Sequence, residues 1–178
     1  MKNDEAYTIW FTGRHGAGKS TIADKLVEIL RKNKISVVLL DGDEIRKTVS
    51  SDLGYSLEER NKHMARVANI CKLISENGIL TIASVASPTE HSRGYAKNIL
   101  KKMVLVYVKC NLDTCEKRDV KGHYKKAMEK KKGFENFFGM EFEEPENPDI
   151  VLNTDKETAD ESVTTLLNEL KNRQVIKI

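Results

Sequence analysis

YTIWFTGRHGAGKS, Tyr7 to Ser20, runs from an apolar segment rich in β-formers straight into a loop with glycines at 13, 16 and 18. Tyr7–Thr12 has the length and composition of a buried strand. Beyond Ser20, apolar Ile22, Ala23, Leu26, Val27, Ile29 and Leu30 recur at helical spacing as far as Lys32. Lys34–Leu40 (KISVVLL) then returns to strand character. The spacing predicts a βαβ unit whose first turn is the glycine loop, with parallel strands because the crossover is a helix.

Gly13, Gly18, Lys19 and Ser20 satisfy GxxxxGK[ST], between a strand and a helix as its mechanism demands. Glycines let backbone N–H groups turn inward around a phosphate, and the helix that follows brings its positive end to the same place. The residues expected to hold ATP are therefore Gly13, Gly16, Ala17, Gly18, Lys19, Ser20 and Thr21. Lys19 would neutralise the β and γ oxygens, and the Ser20 hydroxyl would take Mg2+.

Further along, Leu57–Asn77 has helical periodicity and Gly78 stands where a C-terminal cap belongs. Ile79–Val85 reads as a strand, Glu90–Lys101 as a helix, Met103–Val108 as a buried strand and Leu112–Asp119 as a short helix. Residues 121–147, rich in Lys, Glu, Gly and Phe without clear period, suggest a mobile segment or lid. A strand at Ile150–Leu152 and a helix over about 157–173 complete the chain. Strands alternating with helices predict an α/β fold, a three-layer P-loop architecture with a mostly parallel sheet. No repeat or linker divides it, so a single P-loop domain over residues 1–178 is expected, with the lid at about 119–147.

The 178 residues suffice for one compact core, and at 32% charged and 39% apolar they include no run long enough for a membrane helix. The N-terminus, MKNDEAY, has no apolar signal region, so the expected location is cytoplasmic. Cys71, Cys110 and Cys115 form an odd set without a CxxC pair, which points to reduced, buried thiols. A net charge of +3, from 30 basic and 27 acidic residues spread along the chain, is too balanced to predict nucleic acid as a partner. A small-molecule nucleotide fits better.

Asn153-Thr154-Asp155-Lys156 does not form the NKxD base-reading motif of guanine-nucleotide switches, and ILTIASV ends without the acidic residue of ATPase motors. A small-molecule kinase remains. Asp41-Gly42-Asp43 follows the second strand directly, at the sheet end where open α/β folds bind ligands, with Arg46 close behind. A carboxylate there can take a proton from a substrate hydroxyl or hold magnesium's waters; the bland alternative is a surface Asp-Gly turn.

The chain resembles the adenylylsulfate kinases, which move the γ-phosphate of ATP to the 3′-hydroxyl of adenosine 5′-phosphosulfate. The likeness rests on LDGDEIR (40–46), DLGYSLEER (52–60), Ser87-Pro88, CEKRDVKGHYKKA (115–127) and PENPDIVLNT (145–154), and it spans nearly the whole length. It implies that Asp41 is the base for the 3′-hydroxyl and that Arg46 and Arg60 clamp the anionic part of the acceptor, with Asp43 beside them. It places Tyr55 and, in the segment similar to FTGID, Phe137 or else Phe134 on the two faces of the acceptor base. Ser87 falls in the acceptor-side loop, Arg118 over the adenine of ATP, and Lys121 towards phosphates. It also implies a homodimer.

Departures from the family pattern cluster on the acceptor side. Arg14-His15 replaces a common Leu-Ser, His63 stands where a substrate-facing Asn is usual, His123 replaces a Leu, and Met128 an Arg. They keep open a second acceptor, such as cytidine diphosphoramidate, phosphorylated in the same way. A regulator that only binds nucleotide is the further alternative.

Overall fold

The computed structural model describes residues 5–119, 122, 125, 128, 129 and 142–178. Its sheet consists of β1 (Thr8–Thr12), β2 (Val37–Asp41), β3 (Leu80–Ser84), β4 (Met103–Lys109) and β5 (Ile150–Asn153), in the order β2-β3-β1-β4-β5, and every pairing is parallel. The crossovers are α1 (Lys19–Lys32), α2 (Gly42–Lys47), α3 (Leu57–Ser75), α4 (Glu90–Ile99) and α5 (Leu112–Arg118), and α6 (Ala159–Asn172) follows β5.

Alternation along β1 sorts the molecule into layers. Ile9 and Phe11 pack with Ile22, Leu26 and Leu30 of α1 and Val163, Leu166 and Leu170 of α6. Trp10 points the other way, into a second core with Met64, Val67 and Cys71 of α3 and Ala96 of α4. Both faces of β1 are therefore apolar, as a central parallel strand requires. Each fully buried aliphatic chain contributes roughly 1.5–3 kcal/mol.

The predicted elements are present, with shifted ends. β2 begins at Val37, later than expected, because the chain leaves α1 through Lys34 at φ 59°, with the Ile35 amide closing on the Leu30 carbonyl at 3.0 Å. Gly78 ends α3 in the same way at φ 78°. The Asp-Gly-Asp segment opens a short helix, α2, in place of a plain turn. Its signals are Asp41 as a side-chain cap, Asp43 and Glu44 in the first turn, and Arg46 and Lys47 in the last. The expected lid lies for the most part outside the described residues.

Candidate active site

β1 occupies the middle of the sheet, so the loop after it opens at the centre of the sheet's C-terminal edge. Gly13 and Gly16 are required there. A Cβ on Gly13 would sit 2.5 Å from the Val108 carbonyl oxygen, and one on Gly16 would sit 2.5 Å from that of Cys115. Lys19 Nζ donates to the carbonyls of Gly13 and Arg14, at 2.8 Å each, which holds the ammonium over the loop.

Among the described helices α1 alone starts without a side-chain cap, and its first turn has no acidic residue. Asp41, Ser56, Thr89, Asn111 and Thr158 cap the other five. A bare helix start leaves backbone donors and the positive end of the dipole turned towards an anion.

Asp41 ends β2 at the level of Ser84 on β3. Its Oδ1 accepts from the amides of Asp43 and Glu44 at 2.8 and 3.3 Å, and its Oδ2 accepts from Ser20 Oγ at 3.1 Å. The expected metal hydroxyl and the expected base thus meet in one hydrogen bond. Ser84 Oγ lies 3.5 Å from Ser20 Oγ. Ser84 is a polar strand end after an otherwise largely apolar run, and that was the signal available for it.

Tyr55, Arg46 and Arg60 come together. The guanidinium of Arg46 lies 4.8 Å from the Tyr55 ring centroid and that of Arg60 lies 5.4 Å away. Arg46 Nη1 donates to the Gly54 carbonyl at 2.8 Å, and Arg60 Nε to that of Tyr55 at 2.9 Å. Burial lowers the pKa of both, and for Arg60 the neighbouring Arg46 charge lowers it further. Both remain cations at neutral pH, since arginine starts so high. Two guanidinium groups held close against their mutual repulsion can receive an anion. Asp43 flanks Arg46 and opposes the loss of its proton.

Ser87 is fully buried at φ 34°. Its hydroxyl accepts from Trp10 Nε1 at 3.0 Å, and its carbonyl from Arg93 Nη1 at 2.9 Å and Thr12 Oγ1 at 3.2 Å. His63 is also buried, 2% exposed, with Nδ1 3.0 Å from Ser50 Oγ. Desolvation, with the Arg46 charge next, pulls its pKa down to about 4. Arg118 Nη2 donates to the Thr154 carbonyl at 2.7 Å, while Thr154 Oγ1 donates to the Ala17 carbonyl at 2.7 Å. Thr154 thereby ties the phosphate loop to Arg118, a role not assigned from sequence. Thr21 is exposed on the first turn of α1. Lys121, His123, Phe134 and Phe137 lie outside the described residues. The three cysteines are free and buried, and burial pushes Cys71 and Cys115 up to about 12, which keeps both as unreactive thiols.

The adenylylsulphate kinase family profile matches residues 5–153. An adenylyl-sulfate kinase of Halothermothrix orenii is 38% identical and covers 100% of this chain and 96% of its own length. A probable adenylyl-sulfate kinase of Archaeoglobus fulgidus is 45% identical over 85% of this chain and 97% of its own. The structure of the Mycobacterium tuberculosis APS kinase in complex with AMPPNP and APS superposes with a TM-score of 0.86 at 31% identity, covering 94% of this chain and 98% of that one. Shikimate kinase from Aquifex aeolicus, 17% identical with a TM-score of 0.57 over 96% of this chain and 99% of its own, shares the fold. The phosphate loop and the carboxylate joined to it thus occur in a chain that belongs to the adenylylsulphate kinase family, a kinase that transfers a phosphoryl group to a hydroxyl.

Proposed function

We propose that this chain acts as one P-loop kinase domain that moves the γ-phosphate of ATP to the 3′-hydroxyl of adenosine 5′-phosphosulfate. The observation that carries the chemistry is the Ser20–Asp41 hydrogen bond at 3.1 Å beside the uncapped start of α1. The names of its relatives, and the pair of ligands in the mycobacterial complex, support the choice of acceptor.

Bare amides at the start of α1 and the Lys19 ammonium receive the phosphates and offset the charge that builds on them in the transition state. Asp41 takes the proton of the attacking hydroxyl. Its hydrogen bonds from two amides and a hydroxyl fix the carboxylate, so it is oriented before the acceptor arrives. Arg46 and Arg60 grip the phosphosulfate, and Arg118 lies against the nucleotide base of ATP.

The oxygen donors fit magnesium, which takes one or two protein oxygens together with phosphates and water. Ser20 Oγ would be its ligand and Asp41 would orient its waters. Among the described residues no group of three or more His, Cys, Asp or Glu is arranged to hold a metal, so the fit is to an ion shared with the nucleotide. When bound, magnesium would supply charge neutralisation to the phosphates.

Turnover of a panel of adenosine and cytidine 5′-phosphosulfates and 5′-phosphoramidates tests this reading. Adenosine 5′-phosphosulfate is expected to give the highest kcat/KM. A cytidine acceptor at least about tenfold better would contradict it, by the same margin that separates cognate from near-cognate substrates elsewhere.

A further inference from the structure

His63 lies on α3 one turn beyond Arg60, and its ring faces inward. Nδ1 meets the hydroxyl of Ser50, itself fully buried in the turn after α2. The ring is packed close to Arg46 of α2, whose charge bears on it. Ser50 is in turn folded back on α2, its amide donating to the Ile45 carbonyl at 2.9 Å. The imidazole therefore holds the turn that closes the C-terminal end of α2.

α2 needs such a tether. It has six residues, of which only Gly42 is buried, and a helix that short has no stability of its own. Yet it starts at Asp41 and carries Arg46 in its last turn, while the opposing guanidinium, Arg60, belongs to α3. The alignment of Asp41 and Arg46 with Arg60 depends on how α2 is fixed to α3.

A neutral imidazole has one donor and one acceptor. Here Ser50 engages Nδ1 and the ring is 2% exposed, which turns it away from a nucleotide base. We propose that His63 is a positioning residue: through Ser50 it fastens the end of α2 to α3 and sets the spacing of Arg46 from Arg60, without reading the acceptor base. The inference rests on the proposed role of the α2–α3 cleft as the acceptor side. Burial first, then the Arg46 and Arg66 charges against the opposing Asp43, leaves the ring neutral in the working enzyme.

The test compares His63→Leu, His63→Gln, Ser50→Ala and the Ser50→Ala/His63→Leu double variant. His63→Leu is expected to raise the acceptor KM at least about fivefold and to leave the ATP KM within about twofold, the range for losing a buried hydrogen bond at one subsite. Ser50→Ala is expected to act in the same direction, the double variant to be no worse than His63→Leu alone, and His63→Gln, whose amide can also donate and accept, to recover most of the affinity. The order of preference among adenosine and cytidine acceptors stays that of the wild type. An unchanged acceptor KM in Ser50→Ala, or an inverted base preference in either His63 variant, would overturn the proposal. If His63→Leu does not fold, Ser50→Ala and His63→Gln decide it alone. Amide hydrogen exchange needs no acceptor, so it separates this inference from the choice of substrate. Residues 42–50 are expected to exchange faster in Ser50→Ala while α1 does not, and equal exchange in both proteins would refute the tether.

Discussion

Asp41 has two duties that a pair of substitutions separates. As the cap of α2 it accepts from two amides, and as the proposed base it takes a proton from the acceptor. Asparagine caps a helix nearly as well as aspartate, whereas alanine costs about 1 kcal/mol. Asp41→Asn is therefore expected to keep stability and ATP affinity while kcat falls by about a hundredfold or more. Asp41→Ala should lose the same activity and also about 1 kcal/mol in urea unfolding. A near-normal kcat in Asp41→Asn would remove the carboxylate from proton transfer. His63 makes a prediction about pH. Its pKa is about 4 in the folded protein against an ordinary 6.5, so between those values the unfolded chain binds the extra proton. Stability is expected to fall as pH is lowered from about 6.5 to about 4, by at most about 3 kcal/mol from this group, and the loss is absent above that window. His63→Gln should remove this part of the acid sensitivity, as measured by urea unfolding at neutral and acid pH. An identical pH dependence in the variant would show that the ring is not buried as a neutral group.

At the scale of elements, the described helix starts divide into those closed by a side-chain cap and the one, at α1, left without it at the proposed phosphate site. α3 and α6 both open with a capping box, from Ser56 with Glu59 and from Thr158 with Glu161. The helix ends at Lys34, Gly78 and Gln174 all turn through positive φ, at 59°, 78° and 56°. Only Gly78 does so without a Cβ penalty. Lys34→Gly is expected to stabilise the protein by about 0.5–1 kcal/mol, since relief of the strained side chain outweighs the entropy glycine adds to the unfolded chain. Thermal or urea unfolding would show it, and a destabilised variant would mean that the strain is not there. The βαβ frame was legible in the sequence because periodicity and glycine positions report backbone geometry directly. Gly78 is an example, and so is the loop from Gly13 to Ser20. α2 was not legible as a helix because six residues are too few to show a period. Ser84 and Thr154 were missed for a different reason: their contacts, with Ser20 and with the Ala17 carbonyl, span 64 and 137 residues of sequence. His63 was placed correctly on its helix, but burial of its ring depends on Ser50, 13 residues away, and no local pattern encodes that.

Across the whole molecule, the strand order β2-β3-β1-β4-β5 explains why residues from distant parts of the chain form one site. The loop after the central strand is the proposed phosphate site. β2 and β3, on one side, deliver Asp41 and Ser84 level with each other, and Thr154, just beyond β5 on the other side, holds the loop from behind. Two apolar cores, one on each face, keep this edge rigid, so the expected motion falls to segments that the sheet does not hold. Such a scaffold positions one hydroxyl against one phosphoryl group, and its product should therefore be a single regioisomer. The most direct test is to incubate the enzyme with ATP, magnesium and adenosine 5′-phosphosulfate and to identify the product by phosphorus and proton NMR. The account predicts equimolar ADP and a nucleotide that carries the new phosphate on the 3′-oxygen alone, with formation suppressed in Asp41→Asn. ATP consumed without transfer to the acceptor, or a phosphate found on any other atom, would contradict it.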